Sequence, residues 1–233
     1  MYTINSRVRY SEVDAEGLLS LGSIINYMQD CSSFQSEDLN VGIDYLKQNN
    51  KAWLLNSWQV IIDRYPKFSE EITIGTQAYD FKGMFGYRNF VILDEKKEYL
   101  ARANSLWVLI DTTTGKPIRI NPGDVDCYGK ADPIPMDYAP RKIALPSSME
   151  SLEPFQVKAH HIDTNHHVNN GQYIQMAREC IPEYFHVGQM RAEYKKQAKL
   201  GGIVIPFVGK NETGYTVNLC DEERNSFAVV SFA

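Results

Sequence analysis

The 233-residue sequence has no run of about 18 apolar residues, so it offers no candidate membrane-spanning helix. It has no basic excess: 24 Lys and Arg stand against 29 Asp and Glu, and the net charge of -5 argues against nucleic acid as a partner. Cysteine is sparse. Cys31, Cys127, Cys180 and Cys220 lie far apart with no C-x-x-C pair, which removes the spacing of a zinc ribbon or a disulfide framework. Free thiols in a reducing cytoplasm are the plain reading. The N-terminal stretch MYTINSRVRYSEVD has no apolar h-region, so neither a signal peptide nor a transit peptide is expected.

What is present suits a globular chain. Hydrophobic residues make up 43% and charged residues 23%, and the length suits one large domain or two. Polar-apolar alternation over residues 2–10 predicts a strand. A long helix is predicted over 18–39, where Leu21, Ile24, Ile25 and Met28 fall at helical spacing. Runs rich in β-branched and aromatic residues predict strands at 53–66, 71–81, 85–93 and 99–111, followed by a turn and a short extended exit over 112–120. Residues 121–153 hold Pro122, Pro133, Pro135, Pro140 and Pro146 and read as a linker. The theme then resumes: a strand at 155–160, a helix over 169–185 interrupted near Pro182, and strands at 190–200, 203–210, 214–221 and 225–232.

The two halves also match residue by residue. An offset of 149 places Asp14 on Asp163, Gly22 on Gly171, Ile25 on Ile174 and Cys31 on Cys180, four identities in an 18-residue window. Val13 faces Ile162 and Asp30 faces Glu179. The expected class is therefore α+β: two units, each a long helix packed on an antiparallel sheet, arranged as a pseudo-dimer.

The chemistry concentrates in KAHHIDTNHHVNNGQYIQMAREC, which holds four of the five histidines. If this segment is extended, Asp163, Asn165 and His167 share one face. A carboxylate there can activate water or attack a carbonyl, an imidazole can move protons near neutral pH, and an amide can orient both. The helix that follows would supply donors around Asn169, Asn170 and Gly171 for a developing oxyanion. Other readings stay open on the residues alone. Asn170-Gly171 could form a hairpin turn, and the polar cluster could be a solvated loop. His160, His161, Asp163, His166 and His167 have the chemistry of zinc or iron ligands, although no H-E-x-x-H pattern is present and adjacent histidines point to opposite faces of a strand. Cys180 reads as a packed apolar residue.

The motif D-x-N-x-H-V-N-N-x-x-Y, here Asp163, Asn165, His167, Val168, Asn169, Asn170 and Tyr173, resembles that of the acyl-acyl carrier protein thioesterase family, a double hotdog fold. The stretches WLLNSWQVIIDRYPKF, KGMFGYRNF, ARANSLWVLIDTTTGKPIRIN and EYKKQAKLG resemble further family strands, so the likeness spans roughly residues 4–201. It implies an N-terminal hotdog over 1–120 that shapes an acyl-chain tunnel, a linker over 121–153, and a catalytic hotdog over 154–233. It implies hydrolysis of fatty acyl-acyl carrier protein by Asp163, Asn165 and His167, with no metal and no cofactor. The partner is acyl carrier protein bearing a phosphopantetheine-linked acyl chain, and the setting is cytoplasmic. A homodimer is left open. An acyl-coenzyme A thioesterase on the same fold is the alternative; a dehydratase, an acyl-binding module and a metal-dependent hydrolase are the other classes.

At the positions of Asp163, Asn165 and His167 the first half has Asp14, Glu16 and Leu18, so the repeat equips one half and not the other. The chain also departs from the family. Plant members carry a Glu-Cys pair where this chain has Gln197 and Ala198. No cysteine nucleophile is therefore expected, and water positioning would fall to Gln197 or to Glu193, which parity on an uninterrupted strand would place on the same face. Lys195, Lys196 and Lys199 are the candidates for docking an acidic carrier. Met28, Trp58 and Phe85 could close a tunnel or simply fill a core.

Overall fold

The protein is described by a computed structural model that covers every residue except 164 and 165. It divides into two compact units, residues 1–56 with 60–138, and residues 57–59 with 139–233.

The first unit opens with strand β1 (Tyr2–Arg7), a 3-10 turn at Tyr10–Glu12, and helix α1 (Leu21–Asp38). Ser20 caps α1 by accepting the Ser23 N–H at 3.2 Å. The buried positions Leu21, Ile24, Ile25, Met28, Cys31 and Gln35 recur at three and four residues, which gives the helix one core face. Each fully buried Ile or Met on it contributes about 1.5–3 kcal/mol. Helix α2 (Ile43–Gln48) follows, then the long strands β2 (Lys51–Ile62), β3 (Glu71–Lys82), β4 (Phe85–Leu93) and β5 (Tyr99–Asp111), and the short β6 (Lys116–Pro117). The antiparallel order is β1-β3-β4-β5-β2, with β6 on β5. Ile74 pairs with Ile92, and Ile92 with Ala101; all three are fully buried. Helix α1 packs on β3 and β4.

The proline-rich stretch after 120 is partly structured. Helix α3 (Pro122–Val125) begins with Pro122 in its first turn, where proline loses no helical hydrogen bond. Asp124 of α3 is buried and forms an ion pair with Lys51. Strand β7 (Glu150–Ser151) lies at its far end.

The second unit contains β8 (Phe155–Gln156), a 3-10 turn at Ala159–His161, helix α4 (Asn170–Arg178), and strands β9 (Gln189–Tyr194), β10 (Ile203–Lys210), β11 (Tyr215–Cys220) and β12 (Ser226–Phe232). Its antiparallel order is β9-β12-β11-β10-β7, with β8 on β10. Helix α4 packs on β11 and β12 through Tyr173, Ile174, Met176 and Ala177.

An α+β architecture with antiparallel sheet and few helices is what the pattern predicted. Its second long helix is corrected: α4 has 9 residues against 18 in α1. Pro182 disfavours helical geometry at Ile181, and Arg178 ties the following loop back by donating to Pro182 O at 3.1 Å and Glu183 O at 2.8 Å. The strand predicted at 155–160 is also shorter, two residues that give way to the 3-10 turn.

Candidate active site

The described residues at the two ends of the segment expected to be extended are instead tied to each other. Ile162 and Val168 form an isolated antiparallel bridge. Between them the Asp163 N–H donates to His167 O at 2.9 Å, and the His166 N–H donates to Asp163 O at 3.1 Å. His166 sits in the left-handed region at φ 61°. The parity argument for a shared strand face therefore fails. The physical reason is the short carboxylate of Asp163: its Oδ1 accepts the His167 N–H at 3.3 Å and competes successfully with an extended backbone. Asn165, the third residue of the expected trio, lies outside the described residues.

The first unit builds the same loop at the same offset. The Asp14 N–H donates to Leu18 O at 2.8 Å, the Gly17 N–H to Asp14 O at 3.1 Å, and Asp14 Oδ1 accepts the Leu18 N–H at 3.0 Å. Val13 and Leu19 bridge as Ile162 and Val168 do. Gly17, at φ 75°, stands where the second unit has His166. Ser20 caps α1 and Asn169 caps α4, each at the matching position. The repeat is thus one of hydrogen bonds as well as residue types, and at the position of His167 the first loop has the isobutyl side chain of Leu18.

Within the second loop, His167 Nδ1 is buried with no hydrogen-bond partner among the described residues. Such a group costs about 1–3 kcal/mol unless something polar meets it. Asp163 also acts electrostatically on Tyr173. Burial, first, and the Asp163 charge, with it, push that phenol up to about 12 despite the Ala198 N–H it accepts. Tyr173 is buried, and its hydroxyl accepts the Ala198 N–H at 2.7 Å. Ala198 O in turn accepts the Val168 N–H at 3.1 Å. The backbone of Ala198 is therefore tied to the site loop, and its side chain there is an inert methyl group.

The start of α4 is less open than its sequence suggests. Asn169 Oδ1 accepts the Gly171 N–H at 2.8 Å, Asn169 O accepts the Gln172 N–H at 2.9 Å, and the Asn169 N–H donates to His161 O at 2.9 Å. Asn169 is thus an N-cap, and Asn170 keeps the backbone N–H of that turn without a partner among the described residues.

Gln197 and Glu193 do not share a strand face. Strand β9 stops at Tyr194, and the N–H groups of Lys195 and Lys196 both donate to Phe227 O, at 2.8 and 3.2 Å. Two residues opposite one make a bulge, which breaks the parity. Gln197 is exposed. Glu193 is buried, accepts the Ile143 N–H at 3.2 Å and lies 3.8 Å from Lys195 Nζ. Among the histidines, His160 and His161 meet edge to face with ring centroids 4.1 Å apart, and His161 Nδ1 accepts the Lys158 N–H at 3.0 Å. No group of three or more His, Cys, Asp or Glu side chains is gathered for a metal among the described residues.

The first unit holds a cavity of about 150 Å³. Its walls include Ile43, Leu46, Trp53, Phe81, Trp107 and the buried Arg88. Met28, Trp58 and Phe85 do not line it. Sequence reasoning missed Arg88, whose signal was an arginine inside the strand run FGYRNFVIL.

The acyl-ACP thioesterase N-terminal domain matches residues 1–128, and the acyl-ACP thioesterase C-terminal domain matches residues 146–225. The chloroplastic palmitoyl-acyl carrier protein thioesterase of Gossypium hirsutum is 24% identical over 94% of this chain and 58% of its own length. The chain spans about half the length of the curated relatives it matches. An acyl-ACP thioesterase from Bacteroides thetaiotaomicron superposes with a TM-score of 0.89 at 22% identity, covering 98% of this chain and 95% of that one. The 12:0-ACP thioesterase from Umbellularia californica superposes with a TM-score of 0.87 at 17% identity, covering 99% and 96%. At such identities the structural likeness is one of fold. With two family domains matched in order along its length, the chain belongs to the acyl-ACP thioesterase family.

Proposed function

We propose that the chain hydrolyses the thioester of fatty acyl-acyl carrier protein, releasing a free fatty acid and the carrier's phosphopantetheine thiol. The observation that carries this reading is the second loop: a carboxylate at its base, an imidazole at its end whose buried Nδ1 has no partner among the described residues, and a twin loop in the first unit that has leucine in place of that imidazole.

In the proposed reaction Asp163 takes a proton from water as the water oxygen bonds to the thioester carbon. The carbonyl oxygen becomes an oxyanion, met by the Asn170 N–H at the start of α4. The intermediate collapses, the C–S bond breaks, and the leaving sulfur takes up a proton relayed through His167. Asn165 is assigned to orienting these groups on the family motif alone. Gln197 and Glu193 are left without a role in this step, the first because it is exposed and the second because its carboxylate is already engaged.

The same reading treats the two units as tandem hotdogs in a pseudo-dimer, divided as 1–120, a linker over 121–153, and 154–233. The twin loops support that duplication. Chemistry is assigned to the second unit and acyl-chain binding to the first, whose cavity is walled largely by aromatic and aliphatic side chains. Four free cysteines fit a reducing setting, and the proposal places the chain in the cytoplasm. No helix among the described residues is long and apolar enough to cross a membrane.

The test is release of free thiol from a panel of acyl-acyl carrier proteins by the purified chain, with the matching acyl-coenzyme A esters alongside. Carrier esters should turn over with higher kcat/KM, and a chelator should leave the rate unchanged. No thiol release from either donor would sink the hydrolase reading. Preference for coenzyme A esters would transfer it to the alternative donor.

A further inference from the structure

Arg88 poses a problem that the hydrolytic site does not answer. It lies on β4 inside an apolar run, is 8% exposed, and lines the cavity of the first unit. A buried guanidinium normally sits against a carboxylate, because leaving it unpaired forfeits several kcal/mol of solvation. Here no ion pair includes Arg88 among the described residues. Its Nη1 donates to Gln35 Oε1 at 2.5 Å and to Thr76 Oγ1 at 3.0 Å, both neutral acceptors. Its Nε and Nη2 make no hydrogen bond among the described residues. Tyr128 lies under the guanidinium with its ring centroid 5.0 Å from Cζ, and the Tyr128 hydroxyl is shared with Ser36 Oγ at 2.8 Å. Burial pushes that phenol up, so it does not act as the missing anion. Glu37, the other charged residue of the lining, accepts the Ile43 N–H at 2.8 Å.

We infer that this cavity binds an aliphatic chain ended by a carboxylate, with the carboxylate on the free edge of Arg88 and the chain against Trp53, Phe81, Trp107, Ile43 and Leu46. A plain methyl end placed there would leave the guanidinium desolvated and unpaired. A carboxylate end supplies a charge-assisted, bidentate partner in the plane that Nε and Nη2 offer. Gln35 and Thr76 both take Nη1, which leaves Nε and Nη2 as the donors that Arg88 can offer in the cavity it lines.

Such a chain has two sources. It is either a free fatty acid, the product class of the proposed hydrolysis, or an acyl substrate bearing a second carboxylate at its far end. The first arm of the test needs no catalysis. Decanoate, decanol and decyltrimethylammonium are titrated into the wild-type protein, reading Trp fluorescence and calorimetry. Decanoate should bind at least tenfold tighter than decanol, and the cation more weakly than either. In Arg88→Gln the decanoate-to-decanol ratio should fall to near one. Should that variant fail to fold, the wild-type ratio alone decides. The second arm compares hydrolysis of decanoyl and ω-carboxynonanoyl thioesters. A lower KM for the ω-carboxy ester assigns the carboxylate to the substrate. Decanoate binding without that preference assigns it to the free acid. Equal affinity for decanoate and decanol, together with no ω-carboxy preference, overturns the inference. Because the first arm is independent of turnover, an inactive protein that still prefers decanoate would reject the hydrolase reading and keep this one.

Discussion

Asp163 Oδ1 accepts the backbone N–H of His167 at 3.3 Å, so the proposed base also holds the turn that presents the proposed relay. This dual duty decides which variant is informative. Alanine would remove chemistry and loop together. Asn keeps an Oδ1 acceptor for the His167 N–H and removes the charge. Asp163→Asn should therefore lower kcat by roughly 10²-fold or more while the melting temperature stays within about 2 °C. Asp14→Asn, in the twin loop, should leave kcat unchanged. Equal activity of Asp163→Asn and wild type, or an equal loss in Asp14→Asn, would remove Asp163 from the chemistry.

The left-handed corner of the same loop gives a second test. Gly17 occupies it in the first unit at φ 75°, and His166 in the second at φ 61°. A residue with a Cβ is strained there, by about 1 kcal/mol for a polar residue and more for a β-branched one. His166→Gly should be neutral or stabilising by up to about 1 kcal/mol, since relief of strain offsets the added freedom of the unfolded chain. His166→Val should destabilise by about 1–3 kcal/mol. Urea denaturation of both variants checks this; an order of stability with Val above Gly would contradict it.

Much of this architecture was readable beforehand, and the failures have physical causes. Strands β3, β4 and β5 announced themselves because long β-branched and aromatic runs end in turn residues. The repeat was visible because Asp14 and Asp163, Gly22 and Gly171, and Cys31 and Cys180 kept identity. The geometry of the site was not visible, because alternation assumes an extended backbone and a short carboxylate can instead capture an N–H four residues on. The bulge at Lys195 and Lys196 could not be read either, since both N–H groups converge on a carbonyl contributed by Phe227, far along the chain. Arg88 was hidden for a different reason. A single arginine in a strand looks like a surface position until the packing of α1 and the Tyr128 ring buries it.

Tyr173 links helix α4 to the segment that carries Ala198, through the 2.7 Å bond from the Ala198 N–H to its hydroxyl. Tyr173→Phe leaves that buried N–H without its acceptor and should cost about 1–3 kcal/mol. Because Ala198 O also accepts the Val168 N–H, the site loop should loosen with it. Faster hydrogen exchange at Val168 and Ala198, beside unchanged exchange in β3 and β4, is the expected signature. A variant as stable as wild type would show that the hydroxyl bond contributes nothing net.

Under the proposed function, carrier docking would depend on which lysines are free. Lys196 Nζ lies 2.7 Å from Asp221, and Lys195 Nζ lies 3.8 Å from Glu193. Lys199 is exposed and has no ion-pair partner among the described residues. Lys199→Glu should therefore raise KM for carrier-bound substrate several-fold and leave KM for a coenzyme A ester unchanged, with the difference shrinking as salt rises. Equal effects on both donors would place the residue outside any carrier surface.

The final prediction concerns acid. The same structural position, the third residue of the 3-10 turn before each loop, is Glu12 in the first unit and His161 in the second. Each accepts a backbone N–H three residues earlier, Glu12 from Arg9 at 2.9 Å and His161 from Lys158 at 3.0 Å. Burial, with the His160 and Lys158 charges, holds His161 below its ordinary 6.5. Burial alone would raise Glu12, but hydrogen bonds from Arg9 and Tyr27 outweigh it and hold the carboxyl below its ordinary 4.5. For both groups the unfolded chain binds more protons than the folded one, so stability rises with pH across each window. The His161 contribution is complete above 6.5 and is lost as pH falls through its folded value, while the Glu12 contribution is complete above 4.5 and persists until lower pH. Between pH 6.5 and 4.5 the loop that carries Asp163 and His167 should thus loosen while its twin stays closed. Hydrogen exchange, corrected for intrinsic rates, should show lost protection over residues 158–169 at pH 5 with protection over residues 9–20 retained. Parallel loss in both segments would mean that His161 does not govern the acid response, and a His161→Gln variant, which keeps an acceptor but does not titrate, should hold its 158–169 protection unchanged across the same range.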